Sequence, residues 1–191
     1  MPSDYLATYH RHWRTAASAE ALATVAEPDK FNFLSFLATA QALQIEFLPL
    51  SWDAGREVIG TGVTSRIHQA LVNIDTSFAF KAYHNKTDKQ NKTEEQIFRT
   101  LINEVIVLSQ NFVREHANIA ELQGICWEIS TDDRPWPILV FEKSHFGDLH
   151  HFATHGGRDM GTDERVRLCL DVGSAIMDMH TNSRLSSSIR G

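Results

Sequence analysis

The chain has 191 residues, 42% of them hydrophobic and 22% charged, with a formal net charge of −6 and a mean hydropathy of −0.26. That composition supports one good-sized domain with a buried core, and it argues against a general nucleic-acid binder, which carries a basic face. Cys126 and Cys169 are the only cysteines, too few for a disulfide framework or a cysteine metal cluster.

The opening "MPSDYLATYHRHWRTAASAE" places charged residues where a signal peptide needs its apolar stretch. No apolar run approaches the ~18 residues that mark a membrane span. The expectation is a reduced, intracellular, cytoplasmic protein with no membrane partner, its sequons at Asn85 and Asn91 unglycosylated.

Residues 1–50 read as a helical extension. Pro28-Asp29 can open a helix, and in "FNFLSFLATAQAL" the residues Phe33, Phe36, Leu37, Ala40 and Leu43 fall at helical spacing. Phe47 extends the stripe until Pro49 ends it. From Trp52 the texture changes. "REVIG", "RIHQALVNI" and "SFAFKAYH" are short, rich in β-branched and aromatic residues, and punctuated by Gly, Asn, Asp and Ser, so they read as strands. The polar "HNKTDKQNKTEE" reads as a loop, and "EEQIFRTLINEVIVLSQNF" as a strong helix. Two more strands come next, "IAELQGICWEI" and "WPILVFEKS", joined by the turn-rich "STDDRPWP". "GDLHHFATH" and a helix, "DERVRLCLDVGSAIMDMH", come last. The whole has no internal repeat.

Three features carry chemistry. "VIGTGVTSRI" sets Gly60, Gly62 and Ser65 between two strands. It lacks the helix that a dinucleotide fingerprint requires and the Gly-Lys-Ser/Thr of a P-loop, which leaves either a loop folding over a ligand or an ordinary hairpin. Lys81 sits in "FAFKAYH" beside Phe80 and Ala82, and a lysine in a buried strand must find an anion or lose its charge. On the next helix Ile97, Leu101, Glu104 and Leu108 are spaced to share one face, so Glu104 is a carboxylate on an apolar stripe and a partner for Lys81. A structural ion pair and a pair that positions a phosphate both fit. The histidines His145, His150, His151 and His155 read as solvated rather than as a zinc site, which needs about four well-placed ligands.

In this order the segments resemble the protein kinase family over roughly residues 52–182. "IGTGVTSRI" looks like its glycine-rich loop, with Ser65 where the third glycine stands. "AFK" is similar to its Ala-x-Lys, Glu104 matches the helix-C glutamate, and "HANIAELQGICWE" resembles the His-Pro-Asn-Ile segment with Ala117 in place of Pro. "PILVFEKSHFGDL" looks like the fifth strand and hinge. The resemblance implies an α+β fold, a kinase-like N-lobe of five antiparallel strands with helix C and the first C-lobe helices, occupying 51–182 behind the helical extension 1–50. Residues 183–191 would be a tail outside the family.

It also implies an ATP site lined by Ile59, Gly60, Gly62, Ser65, Ile67, Ala79, Lys81 and Glu104. Phe141 would be the gatekeeper, the backbone of Glu142 and Ser144 would meet adenine, and Asp148 would lie near the ribose. The parent activity is phosphoryl transfer from ATP to protein hydroxyls. After "DMHTN" the chain reads "SRLSSSIRG" where the family continues to its catalytic aspartate and magnesium ligands. The expectation is therefore weak ATP binding with no catalytic residue, no magnesium ligands and no turnover. The alternative is a non-catalytic, pseudokinase-like interaction or regulatory module. The final helix, counted as the family's helix E, carries Val166, Cys169, Leu170, Gly173, Ile176 and Met177 on one stripe, which is expected to stay exposed or to be covered by a protein partner.

Overall fold

The computed structural model describes residues 30–51, 58–61, 65–71, 77–83, 93–129, 134–144, 148–157 and 159–188. In chain order the elements are α1 (Phe33–Ala42), β1 (Phe47–Ser51), β2 (Val58–Thr61), β3 (Ser65–Leu71), β4 (Ser77–Tyr83) and α2 (Glu94–Leu108). Then come the short α3 (Asn111–Arg114), β5 (Leu122–Ile129), β6 (Pro135–Glu142), the helical turns α4 (Leu149–His151) and Phe152–Gly156, and α5 (Thr162–Ser188). The mixed α+β architecture is the expected one.

The helix α1 starts where its chemistry says it should. Asn32 accepts from the Ser35 backbone N–H while the Ser35 hydroxyl accepts from the Asn32 N–H, a reciprocal cap that satisfies two otherwise orphaned donors. Pro28-Asp29 lies outside the described residues. The apolar stripe then buries Phe36, Ala40 and Leu43.

Past α1 the structure corrects two expectations. The helical reading of residues 1–50 fails beyond Ala42, and the five expected antiparallel strands are joined by a sixth, in the order β1-β5-β6-β4-β3-β2. The helix is stopped by its own backbone. Gln44 adopts φ 55, its N–H reaches the Gln41 carbonyl, and the Ile45 N–H reaches Ala40 across the last turn. This pair of bonds is the Schellman arrangement, with a glutamine where glycine is usual, at a cost of roughly 1 kcal/mol for the left-handed conformation. The chain leaves the turn extended, and β1 joins β5 in parallel, with Phe47 opposite Ile125 and Ser51 opposite Trp127. Pro49 is compatible because β1 is an edge strand, where a missing N–H breaks no second ladder.

The other strand pairs are antiparallel. Side chains alternate across the sheet, so Phe78, Phe80 and Ala82 of β4 fall into one buried cluster with Cys126, Ile138 and Val140, against which Leu48 and Leu50 pack. Tyr83 belongs to the cluster on the opposite face, with Ile125, Leu139 and the inward side of α2. The helix α2 is capped by Thr93 and Gln96 in the same reciprocal manner as α1, and Glu94 and Glu95 in its first turn favour its dipole. It buries Ile97, Phe98, Leu101, Ile102 and Val105.

The segment 31–51 is part of this core. Phe33 and Phe36 meet the Phe98 ring at 6.3 and 6.2 Å, Phe33 also meets Trp127 at 5.7 Å, and Phe47 stacks on Trp127 at 5.4 Å. Gly124 is shaped for it. Its φ is 154, and a Cβ there would stand 2.8 Å from both the Glu46 carbonyl oxygen and Leu48 Cγ. The final helix α5 runs past His180 to Ser188 and touches the rest through the turn after α3. His116 Nε2 lies 3.2 Å from Asp178 Oδ2, and the Asn118 amide donates to the Asp171 carbonyl at 3.4 Å.

Candidate functional site

The register of the three central strands assembles the site. Ile67, Lys81 and Leu139 stand side by side across β3, β4 and β6, and the next row on the same face pairs Ala79 with Gln69 and Phe141. This face carries α2. Lys81 therefore points toward the helix, away from Phe80 and Ala82, its neighbours in sequence.

Glu104 meets it there. The Lys81 ammonium donates to Glu104 Oε1 at 2.5 Å, with the two side chains 25% and 20% exposed. At that degree of exposure a unit charge pair ~4 Å apart has a gross attraction of about 4 kcal/mol at an effective dielectric of ~20, opposed by the loss of hydration on both partners. The carboxylate is held from its other side as well. The Tyr83 hydroxyl donates to Glu104 Oε2, and the Lys81 ammonium lies 5.3 Å from the centroid of the Tyr83 ring. Sequence reasoning passed over Tyr83. The signal was the strand's period of two, since Tyr83 stands two residues beyond Lys81 and so shares its face.

The remaining expected residues are distributed around this centre. Gly60 is opposite Ile67 in the β2–β3 ladder, where a Cβ would make ordinary contact with Ile67 at 3.6 Å, so space alone does not demand glycine there. Ile59 is exposed on the edge strand β2, and Ser65 pairs with Tyr83 at the start of β3. Gly62 lies outside the described residues. Phe141 packs against the α2 core, Glu142 ends β6 opposite Phe78, and Ser144 is exposed just beyond it. Asp148 is the N-cap of α4 and accepts from the His151 N–H at 2.6 Å, which occupies one carboxylate oxygen in local structure.

The histidines after β6 do not gather into a metal site among the described residues. The exposed rings of His151 and His155 stack at 4.4 Å, and His145 is outside the described residues. No group of three or more His, Cys, Asp or Glu side chains among the described residues is placed to hold a metal ion. Nor is any helix among them long and apolar enough to cross a membrane.

Comparison with known proteins places this geometry in context. Residues 54–185 match the family of protein tyrosine and serine/threonine kinases. A wall-associated receptor kinase-like protein of Arabidopsis thaliana is 29% identical over 126 residues, which is 65% of this chain but 14% of that protein. The chain thus spans about one seventh of the length of that relative. A lysine on a central strand, held by a glutamate of the helix packed on its sheet, inside a match covering more than two thirds of the sequence, makes this chain a member of the protein kinase family.

Proposed function

We propose that the chain is the ATP-holding N-lobe, with the first C-lobe helices, of a protein kinase whose activity is phosphoryl transfer to protein hydroxyls. The observation that supports it is the Lys81–Glu104 pair at 2.5 Å. An ammonium has three donors, and Glu104 takes one of them, which aims the group while leaving it donors for phosphate oxygens. In this reading Ile59, Gly60, Gly62, Ser65 and Ile67 cover the nucleotide. Ala79 faces adenine beside the gatekeeper Phe141, the backbone of Glu142 and Ser144 bonds its edge, and Asp148 approaches the ribose with its second oxygen. In this reading an ATP-using fold whose two cysteines form no disulfide with each other works in a reducing, intracellular compartment.

In this reading the stretch binds nucleotide without turning it over by itself, because no segment in its sequence resembles the family's catalytic-aspartate or magnesium-ligand motif. Missing contacts worth ~1–2 kcal/mol each move an ordinary micromolar affinity toward millimolar. Calorimetric titration with the non-hydrolysable adenosine 5′-(β,γ-imido)triphosphate should give weak, saturable binding that Lys81→Ala removes. Equal binding by wild type and Lys81→Ala would refute the site, and low-micromolar, magnesium-dependent binding would refute the weakness.

A second reading, a non-catalytic interaction module, is favoured by the face of α5. Val166, Leu170, Ile176 and Met177 are exposed along it, and a protein partner covering that stripe would give the chain a scaffold role. A purified chain that runs as a monomer and unfolds in one sharp, reversible transition would raise this reading above the first, and a chain that aggregates without a cooperative transition would lower it.

A further inference from the structure

We propose that Tyr83 is a positioning residue for the nucleotide site. It holds the Glu104 carboxylate in the orientation that keeps Lys81 in place, with or without nucleotide. The inference rests on the ATP reading only for its consequence, not for its geometry.

The two donors use different oxygens of one carboxylate: Lys81 takes Oε1 and the Tyr83 hydroxyl takes Oε2. They do not compete. A carboxylate on a helix has three side-chain torsions, and an ammonium is a round donor that follows it through many of them, so one contact leaves the head group free to rotate. A phenol is different. Tyr83 has two torsions and its ring is buried in the core beside α2, so its hydroxyl has little freedom to seek another partner. A charge-assisted bond from a buried hydroxyl is stronger than a neutral one and is costly to leave unmade. The ring also presents its face to the ammonium at 5.3 Å, so Tyr83 touches both members of the pair it orients. Two donors of β4 thus tie Glu104 of α2 to the sheet.

The test uses the 191-residue chain and trace acetylation of lysines by acetic anhydride, read at Lys81 by mass spectrometry without nucleotide. Tyr83→Phe keeps the ring and removes the hydroxyl. It should raise the Lys81 acetylation rate about fivefold, as expected for loss of one net hydrogen bond, and should add nothing in a Glu104→Ala background. An unchanged rate in Tyr83→Phe overturns the proposal, as does an equal increase in the Glu104→Ala background. If Tyr83→Phe does not fold, the wild-type proton spectrum decides. A downfield, slowly exchanging phenolic resonance that disappears in Glu104→Ala supports the bond, and no such resonance overturns it. Where the wild type binds nucleotide, Tyr83→Phe should weaken the triphosphate analogue and spare adenosine, since only the phosphates meet Lys81. Equal weakening of both would mark a general structural role instead. A wild type that binds neither ligand defeats the ATP reading and leaves the acetylation result standing.

Discussion

Two helices of this chain carry apolar stripes, a strong one on α2 and a weaker one on α5, and the two meet opposite fates. On α2 the stripe is covered: Phe98, Leu101, Ile102 and Val105 are all but inaccessible, against the sheet on one side and α1 on the other. On α5 Leu170 is 66% and Met177 62% exposed, and among the side chains described there Ala175 is the only buried apolar one. Helical periodicity is a local property of the sequence and marks a stripe on each helix, the clearer one on α2. What covers a stripe is a matter of which other segments reach it. For α2 the segment 31–51 does so, through aromatic contacts to Phe98 and a strand added beside β5. The lesson is that α2, which carries Glu104, is held on its sheet by residues that precede the family match.

The sharpest way to break the contrast is to empty the covered side. Phe98 packs on Phe33 and Phe36 and stacks on Trp136 at 5.4 Å, 11° from parallel. Phe98→Ala should cost about 3–5 kcal/mol in urea unfolding, a large part of a domain's net stability. A loss below ~1 kcal/mol would mean that the α1–α2 contact carries little weight.

A smaller effect is expected where β1 docks. Gly124→Ala places a methyl 2.8 Å from the Glu46 carbonyl oxygen at a φ of 154, for a loss of roughly 2–3 kcal/mol. The Ile125 amide, which bonds the Glu46 carbonyl at 2.8 Å, should lose hydrogen-exchange protection before the amides of α2 do. Simultaneous loss across both would show that the segment 31–51, a strap across the sheet edge, and α2 open as one unit.

The uncovered side should behave in the opposite way. Leu170→Ser combined with Met177→Ser removes apolar surface that already faces water, so stability should move by no more than about 0.5 kcal/mol. Self-association of the wild-type chain, followed by sedimentation, should fall in this variant. A loss of several kcal/mol would reveal that the stripe is covered after all.

The smallest effect is electrostatic and lies at the strap. Burial raises the Glu46 carboxyl above its ordinary value of 4.5. A carboxyl raised on folding favours the fold fully below about 4.5, and that contribution disappears as pH climbs through the raised folded value. Glu46→Gln should therefore be slightly more stable than wild type near neutrality, with the two converging as pH falls below about 4.5. A gap that widens in acid would reverse the assignment.

The Lys81–Glu104 pair was legible in the residues themselves. Strand alternation and helical spacing put Lys81 and Glu104 on facing surfaces, because both periods follow from the backbone alone. The helix start at Asn32 was not read from Pro28-Asp29, although Asn-x-x-Ser is itself a local capping signal. Tyr83 was visible as a face but not as a donor, because its bond crosses 21 residues to another element.

The sequence by itself determined the strands β2 to β6, the helices α2 and α5, their order and the chemistry of the Lys81–Glu104 pair, since local periodicity and turn chemistry act within a few residues. Tertiary structure alone decided that residues 47–51 leave the helical pattern and become the sixth strand. A parallel edge strand is defined by a ladder to β5, more than 70 residues away, and by the space that Gly124 leaves for it. The same holds for the two stripes. Burial is a relation between segments, and no local pattern states which segment will arrive.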